Sequence, residues 1–290
     1  QPTAAAGSLG AGAAVADHDR VVYRGLAGHA DLQARQPLRG DAIFRIYSMT
    51  KPVTSVAAMM LVEEGRLRLD DPVASYLPAF ASLNRVAGGD ADAPRLVPVA
   101  RALTVRHLLA HTAGFATGGD DIRVASTLLQ RQAPEDATDL AGYADRVARA
   151  PLAMEPGTRF RYDGVNTEVL ARVIEIASGQ PFDRFLQARI FSPLGMRDTG
   201  FDVPPAQRAR VMALTSREAD GRRVLARSPP ARAPGIALRA YTSGAGGLYS
   251  TADDYLRFAR MLANGGELDG MRLLKKDTVA LMMTDQLAAF

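Results

Sequence analysis

Pro52 constrains the chain more than any other residue. Proline is tolerated in the first turn of an α-helix and breaks one further in. Behind it Val53, Val56, Ala57, Met60 and Leu61 fall at i, i+3, i+4, i+7 and i+8, the spacing of one apolar helix face. A helix is therefore predicted to begin near Ser48 or Met49, and Gly65, after Glu63 and Glu64, is placed to stop it. Ser48 and Lys51 then lie one turn apart on the same side. An ammonium at a helix N-terminus meets the positive end of the dipole, and burial removes its water. Both effects favour the neutral amine. A neutral lysine can take the proton of a serine hydroxyl and leave a nucleophile. Composition sharpens the point. The chain has 35 Lys and Arg, and only Lys51, Lys275 and Lys276 are lysine, so 32 are arginine. Arginine cannot give up its proton; lysine can. The plainer reading of Ser48 and Lys51 is a serine N-cap with a solvated lysine in the first turn.

At 290 residues the chain can bury a full core, as one large domain or two modest ones. Apolar residues are 47% and charged residues 23%, ordinary for a globular protein. No apolar run reaches the ~18 residues of a membrane span. Cysteine is absent, which excludes disulfides, thiolate metal sites and a cysteine nucleophile. That fits the cytoplasm as well as the periplasm or secretion. The chain starts at Gln1 rather than Met, so a processed or trimmed start is expected, and no signal-peptide pattern remains. A pI near 9.6 invites a nucleic-acid partner. The net charge is only +4, however, the arginines are spread through the chain, and no zinc-finger spacing or RNP-type strand is present, so none is expected.

Taken in order, residues 1–10 read as loose. Ala14-Val15-Ala16 and Val21-Val22-Tyr23 form a hairpin around Asp17-His18-Asp19-Arg20, and Ile43 to Ile46 is a strand delivering Ser48 to its helix. Asp71-Pro72 opens a short helical turn ending near Pro78. Residues 84–101, with Gly88, Gly89, Pro94 and Pro98, read as an irregular excursion. Thr104 caps a helix to Leu109. Residues 115–138 read as a surface loop with a short helix. Further helices run from Leu140 to Ala150, Asn166 to Ser178 closed by Gly179, Pro181 to Phe191, Asp253 to Ala263 capped by Ser250 or Thr251, and Lys276 to Thr284. Phe160 to Gly164 follows the turn Glu155-Pro156-Gly157-Thr158 as an extended segment. Residues 202–240 show little periodicity. The order implies an α+β protein: a discontinuous sheet domain of residues 1–75 and 205–290, and a mostly helical domain of residues 76–204 inserted into it.

Phe44-Arg45-Ile46-Tyr47-Ser48-Met49-Thr50-Lys51 resembles the S-x-x-K motif of the serine β-lactamase and penicillin-recognising group. Three further blocks, Leu103 to Gly114, Glu155 to Tyr162 and Gly246 to Tyr255, resemble its class C branch, and within it the family VIII carboxylesterases. The likeness covers nearly the whole chain after about residue 12. It implies an antiparallel sheet flanked by helices, and an acyl-enzyme on Ser48 formed without a cofactor. It gives Tyr162, in Tyr162-Asp163-Gly164, the part of a base whose phenolate is favoured beside Lys51. Gly164 stands where a lactamase would carry the asparagine that holds a substrate amide, which favours a small-molecule ester over a β-lactam. Asn166 is two residues too late for that part. The third motif, K/H-[ST]-G or W-G-G, is not present, so the chain is expected to stop short of the family's last strands. One of those would supply one N–H of an oxyanion hole, the other being that of Ser48.

Other chemistries lack their residues. No serine sits in G-x-S-x-G, and no S-D-N pattern appears. Of four histidines, His107 and His111 are spaced i, i+4 but lack a third ligand, so no metal is expected, and His111 reads as structural or supporting. Gly244-Ala245-Gly246-Gly247 is no dinucleotide fingerprint and reads as close backbone packing at the site mouth. Gly164, Tyr241, Gly246 and Tyr249 are the expected substrate-binding residues. A β-lactamase or D-amino-acid peptidase, and a non-catalytic binding homologue, stay open beside the esterase. The oligomeric state is not legible.

Overall fold

A computed structural model describes residues 9–18, 20–31, 36–115, 117–226 and 234–287. Of residues 1–10, expected to be loose, 1–8 lie outside the described residues and Gly10 already belongs to a strand; Asp19 of the hairpin and 227–233 of the aperiodic stretch also lie outside them. The principal elements are β1 (Gly10–Ala16), β2 (Val21–Gly28), β3 (Ile43–Arg45), α1 (Thr50–Glu63), β4 (Asn84–Gly89), β5 (Pro94–Pro98), α2 (Val105–Leu109), α3 (Arg123–Arg131), α4 (Leu140–Ala148), α5 (Gly164–Ser178), α6 (Phe182–Leu186), α7 (Ser192–Leu194), β6 (Thr215–Arg217), β7 (Arg223–Leu225), β8 (Tyr249–Thr251), α8 (Ala252–Ala263), β9 (Glu267–Leu268), β10 (Met271–Arg272) and α9 (Lys276–Met282). The α+β class expected from the sequence holds. Rather than forming one sheet, the described strands pair two by two, all antiparallel. Among the described residues no helix is long and apolar enough to cross a membrane.

The chain forms two compact units. One comprises residues 48–186, 239–246 and 280–290; the other comprises 1–47, 187–238 and 247–279. The expected division put α1 with the strands. In the structure α1 packs against α5 and α6 and clusters with the helical unit instead.

In the helical unit, α1 follows a 3₁₀ turn at Tyr47–Met49, with Pro52 in its first turn and Gly65 in the left-handed conformation (φ 69°) behind its end. The sequence suggested one apolar face; the helix is buried almost all round, Thr50, Lys51 and Thr54 included. Polar side chains so placed need partners, and two of them meet the segment 239–246. Residues 84–98 are a correction: the supposed irregular stretch is the β4–β5 hairpin. Gly88 and Gly89 at positive φ absorb its register shift, and the Asp90 side chain accepts the N–H groups of Asp92 and Ala93 at the turn. Thr104 caps α2 with a reciprocal bond to His107. Glu155 accepts the N–H groups of Ala100 and Arg101 and pairs with Arg85. Asp163 caps α5, and Gly179 closes it at φ 68°.

In the other unit, β1 and β2 form the expected hairpin, with a bulge at Val15/Ala16. β3 pairs with β8, Phe44 facing Ser250. Ile43, Val203, Val211 and Tyr249 form a core cluster beside this pair. Thr251 caps α8 through the N–H of Asp254, whose carboxylate takes Asp198 N and the Thr199 hydroxyl.

Candidate active site

Ser48 lies exposed in the turn ahead of α1, directly after Tyr47, which adopts φ 42°. A bulky residue in that region is strained, a condition that concentrates at functional sites. Lys51 is 9% exposed. Its Nζ donates to Ser48 Oγ at 3.1 Å and to the Ala245 carbonyl at 2.8 Å, and lies 5.0 Å from the centroid of the Tyr162 ring. Tyr162 does not lie on a strand: the stretch before α5 belongs to no sheet, and the residue is 55% exposed. Partial burial pushes its phenol up. Hydrogen bonding to Ser48 and Lys51 and the positive charge of Lys51 outweigh that, so the phenol ionises below its ordinary value. Ser48, Lys51 and Tyr162, all expected from the sequence, are thus together.

His111 forms the far side of Tyr162. Its ring stacks on the phenol at 4.9 Å and 26°, its backbone has φ 54°, and its Nδ1 accepts the Asp163 N–H at 3.2 Å. Burial first, and then the charge of Lys51, lower its pKa and favour neutral imidazole. Asp163 is anchored in turn, with Oδ1 on Val165 N and Oδ2 on the Thr117 hydroxyl. Asn166 is buried and donates to the Asp163 carbonyl. Among the described residues its Oδ1 meets no donor.

The segment 239–246 is the third component. The Gly244 carbonyl accepts the Thr54 hydroxyl at 2.7 Å and its N–H donates to Glu168 at 2.8 Å. Close approach requires glycine here. A Cβ would stand 2.7 Å from both Ala171 Cβ and the Thr167 carbonyl oxygen. Gly244→Ala is expected to cost about 1–3 kcal/mol of stability by forcing that backbone apart, read as a shift in the urea midpoint; an unmoved midpoint would show the packing to be loose. Glu168 also takes the Ser243 hydroxyl, and burial pushes its carboxyl up to about 7 against those hydrogen bonds.

The expected substrate-binding residues fare differently. Gly164 opens α5 with Ala245 beside it, where a Cβ would have ordinary contact at 3.5 Å. The Gly246 N–H is taken by Ser243 Oγ at 3.1 Å. Tyr241 and Tyr249 are corrections, because buried rings cannot line an open acyl pocket. Tyr241 packs on Tyr143 with its hydroxyl on Glu135. Tyr249 is fully buried with its hydroxyl on the Ile236 carbonyl. Glu168 and Ser243 escaped the sequence reading. The available signal was a carboxylate at i+3 from Val165 and i−3 from Ala171, with apolar residues one turn to either side. Among the described residues no group of three acidic or histidine side chains is placed to hold a metal ion.

The sequence model of the Beta-lactamase family matches residues 1–289, and the chain belongs to that family. It is 37% identical over 261 residues to Protein Rv1367c of Mycobacterium tuberculosis, covering 90% of this chain and 63% of that protein. It is 36% identical over 282 residues to Esterase EstB of Burkholderia gladioli, covering 90% of this chain and 67% of EstB. Among solved structures, EstCE1, a hydrolase with promiscuous acyltransferase activity, superposes with a TM-score of 0.72 at 28% identity, over 94% of this chain and 71% of that one. The fold is therefore of the β-lactamase and transpeptidase type. The chain spans roughly two thirds of the length of these relatives.

Proposed function

We propose that the chain carries the site of a serine hydrolase acting on small carboxylic esters through an acyl-enzyme on Ser48. The observation that carries this reading is Lys51 Nζ, held between Ser48 Oγ and the Ala245 carbonyl under the Tyr162 ring. Tyr162, favoured as phenolate by its neighbours, takes the Ser48 proton as Oγ attacks the ester carbonyl. The Ser48 N–H, at the head of α1, is one donor to the oxyanion. Collapse of the tetrahedral intermediate breaks the bond to the alcohol, and Tyr162 returns the proton to that leaving oxygen. Water, deprotonated by the same phenolate, then attacks the acyl carbonyl; collapse breaks the bond to Ser48 Oγ, which takes that proton back from Tyr162, and the carboxylic acid leaves. Lys51 holds the Ser48 and Tyr162 oxygens in place throughout. The sequence likeness to a protein named an esterase supports the ester reading.

Gly164 offers no side-chain amide to a substrate amide, and this separates the ester from its alternatives. The kcat/KM for p-nitrophenyl butyrate is expected to exceed that for nitrocefin and for a D-alanyl amide by about 100-fold or more. A higher value for nitrocefin would make the site a β-lactamase, and a higher value for the amide a D-amino-acid peptidase. Mass spectrometry after treatment with a fluorophosphonate is expected to find the adduct on Ser48. A chain that stays unlabelled would be a binding homologue without this chemistry.

A further inference from the structure

One carboxylate behind the site has no part in the chemistry above. Glu168 is 5% exposed on α5, between the buried residues Val165 and Ala171. A carboxyl in such a place is costly unless its oxygens are fully used. They are: one takes the Ser243 hydroxyl, the other the Gly244 N–H at 2.8 Å, and the Ala245 N–H also bonds to it. Glu135, Tyr143 and Tyr241 are the titratable groups that sense its charge.

The chain of contacts continues to the lysine. The Ala245 carbonyl, which receives Lys51 Nζ, shares a rigid peptide plane with the Gly246 N–H. That N–H is held by Ser243 Oγ at 3.1 Å, and the Ser243 hydroxyl is held by Glu168. Turning this plane by a small angle would swing the carbonyl away from Lys51. We propose that Glu168 is a positioning residue: acting through Ser243, it fixes the Ala245–Gly246 peptide plane and thereby the place of Lys51 Nζ against Ser48 and Tyr162. The inference rests on the proposed function, because it assigns Glu168 a part in that chemistry.

The test uses Ser243→Ala, Glu168→Gln and their combination, with Glu168→Ala as a harsher fourth variant. Glutamine keeps the volume but has one acceptor oxygen where the carboxylate has two for three donors, so the Ser243 hydroxyl loses its acceptor. Ser48 labelling by a fluorophosphonate is followed across pH, separating the maximal rate from the inhibition constant. Each single variant is expected to lose about tenfold in maximal rate with the inhibition constant within about twofold. The pH midpoint of labelling moves up, because Lys51 no longer sits as close to the Tyr162 phenol. The double variant is no worse than either single, since both act on one peptide plane. Single variants within about twofold of wild type at an unmoved midpoint overturn the proposal. So does a loss confined to the inhibition constant, or one that only tracks the unfolded fraction in a melting curve. Should Glu168→Ala fail to fold, the other three decide. A wild-type chain unlabelled at Ser48 sinks the proposed function and this inference with it; a labelled wild type with unaffected variants sinks the inference alone.

Discussion

Ser48→Ala is expected to lower kcat for p-nitrophenyl butyrate by about 10⁴-fold or more, the scale on which a hydrolase loses its nucleophile. The protein should stay folded. Ser48 is exposed, and its side chain bonds only groups that keep other contacts: Lys51 stays on the Ala245 carbonyl, and the Tyr162 ring stays stacked on His111. Circular dichroism and thermal melting should therefore match the parent while the esterase rate falls to background. An unchanged rate in a folded variant would remove Ser48 from the chemistry and with it the acyl-enzyme.

Tyr162→Phe carries the second largest expected effect, a fall in kcat of about 10²–10⁴-fold, the range for a lost general base. The ring still stacks on His111 and still covers Lys51; only the oxygen is gone. The pH dependence gives the sharper reading. The base must be deprotonated, so kcat/KM rises with pH as the phenol loses its proton, and the midpoint lies below the ordinary tyrosine value of 10.0. The phenylalanine variant should lose that limb. A variant that kept the limb at the same midpoint would shift the base from Tyr162 to Lys51, the part first suggested by the position of that lysine at a helix start.

The site was largely legible in the chain because its parts are local. Ser48 and Lys51 are set by one helix start, and that start is set by Pro52. Tyr162 stands immediately ahead of the cap of α5. What stayed hidden depends on contacts far apart in sequence. Nothing near Tyr241 or Tyr249 says that their hydroxyls find Glu135 and the Ile236 carbonyl, so both looked available to a substrate. Glu168 drew no reading because its partners, Ser243 and Gly244, lie about 75 positions away. The β4–β5 hairpin was missed because glycine and proline mark breaks without saying whether strands flank them. The apolar face read for α1 was too narrow: Thr50, Lys51 and Thr54 are buried as well, and the backbone of 244–245 covers Lys51 and Thr54.

The anchor of Lys51 is a main-chain oxygen 194 positions downstream. A ribosome adding ~5–20 residues per second needs roughly 10–40 seconds to reach it. During that interval the serine and lysine are already made, but the lysine has nothing to lean on. On the proposed mechanism, an unfinished chain lacking this late segment holds an idle alcohol, and acylation waits for the whole unit to close.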